Sequence, residues 1–167
     1  LGRTYYWRVD EVNAPPTSTV FKGDVWSFTV EPYSYPIAGS RITATASSSN
    51  ATNTGPGKTI DGSGLNDRDE HSTNLGDMWL TAKNGPQPNW IQYEFDTLCA
   101  LDRLIVWNSN QELEPMIGLG ARNVTVEYSA DGVAWTTLGD FELARATGTE
   151  TYIANTTIEF VAVAAKY

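Results

Sequence analysis

The stretch TIDGSGLNDRDEHST, residues 59–73, gathers the chain's one histidine, His71, with Asp61, Asp67, Asp69 and Glu70. Three chemistries compete for such a group. A general acid and base need two titratable groups at fixed separation in a shielded cleft that pushes their pKa values apart. A calcium loop needs about six to eight oxygens, with one or two carboxylates among backbone carbonyls. A solvated turn needs only short polar side chains that accept from their own backbone. The run DRDEH offers crowding rather than shielding, in a segment rich in Gly, Asn and Ser. No second histidine and no GxSxG elbow occurs in the chain, and the lone Cys99 stands in a strand-like run where a thiol packs as a small hydrophobe. Residue types and spacing therefore argue against an enzyme. EF-hand spacing fails as well: counting from Asp67, the sixth position is Ser72 rather than glycine, and no glutamate stands at the twelfth. The oxygen-only cation turn, centred on Asp61 in IDGSG, and the solvated acidic turn both remain open.

A second group follows a strand-like run. LDRLIVW ends at Trp107 and leads into NSNQELEP, which holds Asn108, Asn110, Glu112 and Glu114. Sugar sites combine a flat aromatic face, which covers the C–H side of a pyranose, with amides and carboxylates that read its hydroxyls. These five residues supply both parts, unless Trp107 points inward. Trp90, in a strand that must bury one face, and Trp135, beyond a hairpin turn, read as core.

The rest of the chain must position these residues. With 41% hydrophobic and 11% aromatic content, 167 residues can bury one proper core plus an appendage. A net charge of -9 repels phosphate backbones and anionic membrane surfaces, so nucleic acid is not an expected partner. No apolar run is long enough to span a bilayer, which argues against membrane insertion. A single cysteine permits no internal disulfide.

Strand signals dominate. TYYWRVDEV (4–12) and DVWSFTV (24–30) are rich in aromatic and β-branched residues and flank NAPPTSTVFKG, which predicts one antiparallel hairpin with a long turn. EPYSYPIAGS (31–40) has the composition of a linker or docked connection. Residues 1–31 thus read as a hairpin, 32–36 as linker and 37–167 as the main domain. Within that domain RITATASS, WIQYEF, LDRLIVWN, NVTVEYS, AWTTLGDF and TYIANTTIEF alternate between turn residues, the pattern of an all-β antiparallel sandwich or barrel. In EYSADGVAWTTL, Asp131-Gly132 predicts a tight hairpin turn.

IDG at 60–62, Trp79, NWIQYEF at 89–95 and YSADGVAW at 128–135 follow in the order of landmarks in the discoidin, or coagulation factor 5/8 C-type, domain, which residues 37–167 resemble. That family includes carbohydrate-binding modules of bacterial glycan-degrading enzymes. The resemblance implies a discoidin-like jelly roll, with Trp79 at a structural tryptophan position. It also implies a noncatalytic module that binds glycan or polysaccharide through loops at one end of the sandwich, with His71 reaching the rim of Trp107. A protein-interaction or spacer module without a sugar site is the alternative. YYWRVDEV and VWSFTV resemble the last two strands of a fibronectin type III-like domain. Such tandem domains are similar to accessory regions of large secreted proteins, which implies an extracellular or periplasmic, multidomain parent.

In the resembled family a calcium ion often sits at the IDG turn. Carried over position by position, the resemblance implies the Lys58 carbonyl, Asp61 and the Ser63 carbonyl as ligands. The chain departs from the pattern at the next ligand: the insertion LNDRDEHSTNLG intervenes, Asp77 stands where a Thr is usual, and Asp77 or Thr73 is expected to complete the shell. VAVAAKY stops where the resembled domain would continue to a calcium-ligating Glu, so the site is expected to be weakened in this chain. An incomplete sandwich also leaves a sheet edge. That edge is expected to recruit the 4–30 hairpin or a neighbouring chain in an edge-strand dimer.

Overall fold

A computed structural model describes residues 3–29 and 34–167. Two compact units divide between Pro36 and Ile37. Val30, Glu31, Pro32 and Tyr33, which include part of the expected linker, lie outside the described residues.

In the first unit, aromatic and β-branched residues build one antiparallel ribbon. Strand β1 (Thr4–Trp7) pairs with β4 (Trp26–Thr29), and β2 (Glu11–Val12) with β3 (Val20–Phe21). Between the two pairings Gly23 passes so close to Val9 that a Cβ would lie 2.1 Å from the Val9 carbonyl oxygen. The period of two along a strand sets Tyr5 and Trp7 on one face, opposite Phe28 and Trp26. Tyr5 stacks on Phe28 at 5.6 Å and Trp7 meets Trp26 edge-on at 4.9 Å. The other face carries the Thr4–Thr29 hydroxyl pair.

The second unit is an antiparallel β-sandwich. Its strands are β5 (Ile42–Ala46), β6 (Ile91–Phe95), β7 (Cys99–Val106), β8 (Asn123–Tyr128), β9 (Thr136–Glu142) and β10 (Thr156–Ala165). They pair as β5–β6, β7–β10 and β8–β9. Alternation sends Ile42, Ala44 and Ala46 inward from β5 and Val124, Val126 and Tyr128 inward from β8. Along β10 the inward set begins at Ile158 and ends at Val163 and Ala165. This change of parity is absorbed by a bulge between Glu159 and Val163, which keeps apolar groups on the core side.

Main-chain bonds then tie three strand ends together. Phe95 donates to the Lys166 carbonyl at 2.8 Å, and Ser129 exchanges bonds with Lys166 and Tyr167. The opposite ends of these strands are where the long connections emerge: 47–90, 107–122 and 143–155. Topology alone thus delivers three loops to one end of the sandwich.

Three expectations need correction. Trp90 precedes β6 in phase with Gln92 and Glu94 and is 50% exposed, so it is not a core residue. Trp135 is 41% exposed, tilted against Tyr167 at 6.2 Å. The DG turn is not a tight two-residue turn, because β8 ends at Tyr128 and β9 resumes at Thr136. Gly132 does adopt a positive φ of 75°. The extra residues are held by the Asp131 carboxylate, whose Oδ1 accepts from the Val133 and Ala134 N–H groups at 2.8 and 2.9 Å.

Candidate functional site: the loop end of the sandwich

A buried loop segment that cannot join a ladder and has no solvent at hand must satisfy its backbone groups by turn bonds or side chains. From the 107–122 loop, Asn110 does this for the two other loops at once. Fully buried, it donates through Nδ2 to the carbonyls of His71 (2.8 Å), Ser72 (3.2 Å) and Thr149 (2.8 Å), and its Oδ1 accepts from the Gly148 N–H at 2.8 Å. Asn108, also buried, donates to the carbonyls of Ala121 and Ala144 at 2.7 and 3.0 Å. Its own N–H meets the hydroxyl of Tyr152, which is 1% exposed.

Glu114 opens a single α-helical turn, α1 (Glu114–Ile117), which stops at Gly118 with φ 63°. Its carboxylate folds back into the loop and accepts from the N–H groups of Leu119 (2.6 Å) and Gly120 (3.0 Å), with Arg145 at 4.0 Å. At 2% exposure this carboxyl group is buried and met by two peptide donors and one guanidinium. Asn108, Asn110 and Glu114, expected to face a sugar, instead hold the loops together from inside. Their polar atoms are consumed by main chain that no strand pairing serves.

Trp107 and Glu112 stand differently. Glu112 is exposed. Trp107 is half-buried at the end of β7, and its indole N–H donates to the Asp69 carbonyl at 2.9 Å, which fixes the ring against the inserted loop. Asp69 itself takes a positive φ of 58° there.

His71 lies under that loop rather than on its rim. It is 7% exposed, donates Nδ1–H to the Ser72 carbonyl at 2.8 Å, and its main chain bridges to Leu65 and Tyr152. The ring packs so tightly on Gly64 that a Cβ there would lie 2.9 Å from Cε1. Gly64 has a φ of 79° besides, so glycine is required twice over.

The expected calcium ligands divide. Lys58, Asp61 and Ser63 lie together: Asp61 Oδ1 accepts from the Ser63 N–H at 2.8 Å, and the Lys58 ammonium lies 2.9 Å from Ser63 Oγ and 3.7 Å from Asp61 Oδ2. Burial pushes the Asp61 carboxyl up, but the Ser63 hydroxyl and N–H together with the Lys58 ammonium outweigh it and hold the group below its ordinary value. Asp77 accepts from Ser72 Oγ at 2.7 Å, and Thr73 donates through both N–H and Oγ1 to Glu150. Those two Thr73 donors hold the Glu150 carboxyl below its usual range. Neither Thr73 nor Asp77 bonds to Asp61 or Ser63, and among the described residues no group of three or more His, Cys, Asp or Glu is placed to hold a metal. Of the side chains expected to complete a calcium shell, Asp77 and Thr73 are thus engaged with other partners.

Glu150, Tyr152 and Arg145 escaped the sequence reading. Glu150 meets Thr73 across 77 positions of chain, a pairing that no local spacing encodes. Tyr152 sits before β10, in a run whose alternation reads as continuous strand.

The F5/8 type C domain model matches residues 43–167. The chain belongs to the F5/8 type C domain family. No curated protein and no solved structure matches it significantly. F5/8 type C domains are typically noncatalytic, and many bind carbohydrate or protein ligands in extracellular or cell-surface proteins. The match begins at residue 43, so the fibronectin-like reading of residues 1–31 rests on sequence alone. No helix among the described residues is long and apolar enough to cross a membrane.

Proposed function

We propose that this F5/8 type C domain is a noncatalytic carbohydrate-binding module of a larger secreted protein, holding its parent near glycan or polysaccharide. One observation carries the reading: the half-buried Trp107 ring is pinned by its own N–H at the loop end of the sandwich, close in sequence to the exposed Glu112. A ring whose N–H is already satisfied has only its apolar surface to offer, and a pyranose C–H face matches that surface. A small, shallow contact of this type gives affinities near Kd ~1 mM, about -4 kcal/mol. Retention in the parent would then depend on several modules acting together.

The test is retention on a panel of insoluble polysaccharides. Trp107→Ala should lose retention with its far-UV circular dichroism unchanged, whereas Trp107→Phe, which keeps a flat face, should retain much of it. Retention of both variants would move the site elsewhere. A wild-type chain held by none of the polysaccharides would favour a second reading, a protein-interaction module. That reading has its own support in the apolar side chains exposed around α1: Leu113, Met116, Ile117 and Leu119.

A further inference from the structure

We infer that the cation of the IDG turn is the protein's own Lys58 ammonium, which stands beside Asp61 where a metal ion would sit, so that this turn is braced without calcium. The backbone prepares the arrangement. Residues Pro56–Thr59 form a short 3-10 turn, and the N–H groups of Ile60 and Asp61 both donate to the Gly57 carbonyl at 3.1 Å. These two hydrogen bonds to one carbonyl curl the chain so that Lys58 and Asp61, three apart, point to the same side. The ammonium then lies 2.9 Å from Ser63 Oγ and 3.7 Å from Asp61 Oδ2, while Asp61 Oδ1 takes the Ser63 N–H. Both carboxylate oxygens have partners, and one positive charge balances one negative charge.

A divalent ion at the same place would face a single carboxylate with an ammonium only a few ångströms away, and the two cations would repel. The two side chains expected to complete a calcium shell are engaged elsewhere, Asp77 with Ser72 and Thr73 with Glu150. Lys58 is partly covered, with its side chain 28% exposed, and ends on two acceptors rather than in solvent. The inference concerns the brace of the 57–64 turn and is independent of whether the domain binds sugar.

The experiment compares melting temperatures in chelator and in millimolar calcium for the wild-type chain, Lys58→Arg and Lys58→Met, with calorimetric titration of calcium into each. The wild type and Lys58→Arg should melt at the same temperature in both buffers and show no saturable heat. Lys58→Met should melt lower in chelator and recover part of the loss in calcium, which can enter the vacated place beside Asp61. Saturable calcium binding by the wild type, abolished by Asp61→Asn, would overturn the inference. So would a Lys58→Met chain that melts as the wild type does and ignores calcium, because the lysine would then be a solvated side chain.

Discussion

The ribbon of residues 4–29 and the loops at 107–122 and 143–155 invert the usual partition in opposite directions. In the ribbon, Tyr5, Trp7, Trp26 and Phe28 remain 44% to 59% exposed. In the loops, two amides and a carboxylate, Asn108, Asn110 and Glu114, are 7% exposed or less. The cause is the backbone. Strands β1 and β4 pair one half of their N–H and C=O groups with each other and turn the other half outward, so no side chain is drawn in to serve them, and in a two-stranded ribbon the rings find cover in their cross-strand partners. The loops have no ladder, so polar side chains are drawn inside to complete the hydrogen bonding of the main chain. Whether a polar residue is a ligand contact or a structural part therefore depends on how many unpaired peptide groups surround it.

The sharpest way to break this contrast is Asn110→Ala. The substitution strands three carbonyls and the Gly148 N–H in a site with 0% exposure. A buried unsatisfied group costs about 1–3 kcal/mol, and partial relaxation lowers the sum, so a loss of about 3 kcal/mol is expected in urea unfolding. A loss below about 1 kcal/mol at unchanged m-value would mean that the loops do not depend on Asn110. The same variant should loosen the 148–149 and 71–72 segments together, since one side chain holds both.

The ribbon supplies the next test, with a smaller effect. An edge-to-face ring pair contributes about 0.5–1.5 kcal/mol beyond its buried area. Trp7→Phe keeps a ring on β1 but removes one indole of the pair at 4.9 Å. The exciton couplet of two coupled indoles should vanish from the circular dichroism spectrum, with at most a modest change in stability. A couplet that survives the substitution would show that the Trp7–Trp26 contact is not its source, and would remove the evidence that exposed rings are ordered by each other.

Much of this architecture can be read from the sequence, and the failures share one physical origin. The strand runs at 42–46, 91–95, 99–106, 123–128 and 136–142 declare themselves because period-two alternation is a local property. The gathering of loops at one end follows from strand order. What alternation does not encode is the direction of side chains in irregular segments. Asn108 and Asn110 have the composition of a sugar site, but the groups they serve, at Ala121, Ala144, Thr149 and Ser72, come from distant chain. Trp90 was misplaced for a simpler reason: it lies one residue out of phase with Ile91, Tyr93 and Phe95 and so shares the outer face with Gln92 and Glu94. Asp61 can be read from the sequence as a turn carboxylate suited to a cation, while the Lys58 ammonium 3.7 Å from it follows a side-chain path that only the folded turn displays.

Asp131 gives the smallest and most diagnostic prediction, because it repeats the task of Asn110 in the open. The N–H groups of Ala134 and Val133 and the Ser129 hydroxyl hold its carboxyl below the ordinary 3.8, against a weaker upward push from burial. A group whose folded pKa is depressed contributes stability above its unfolded value, and that contribution disappears as pH falls through the folded pKa. The window therefore lies below pH 3.8, and the hairpin should be indifferent to Asp131 protonation at neutral pH. The chemical shifts of the Val133 and Ala134 amides should titrate together with a midpoint under 3.8, and their exchange protection should fall over the same range. Asp131→Asn keeps an acceptor and should flatten the titration without opening the turn. A midpoint at or above 3.8 would mean that the two amides do not favour the ionised carboxylate, and the 129–135 connection would then owe its shape to Gly132 and the flanking strands. Solvent can replace these bonds at Asp131, whereas no water competes at Asn110, so the same hydrogen-bonding role should produce a measurable titration in one place and a loss of fold stability in the other.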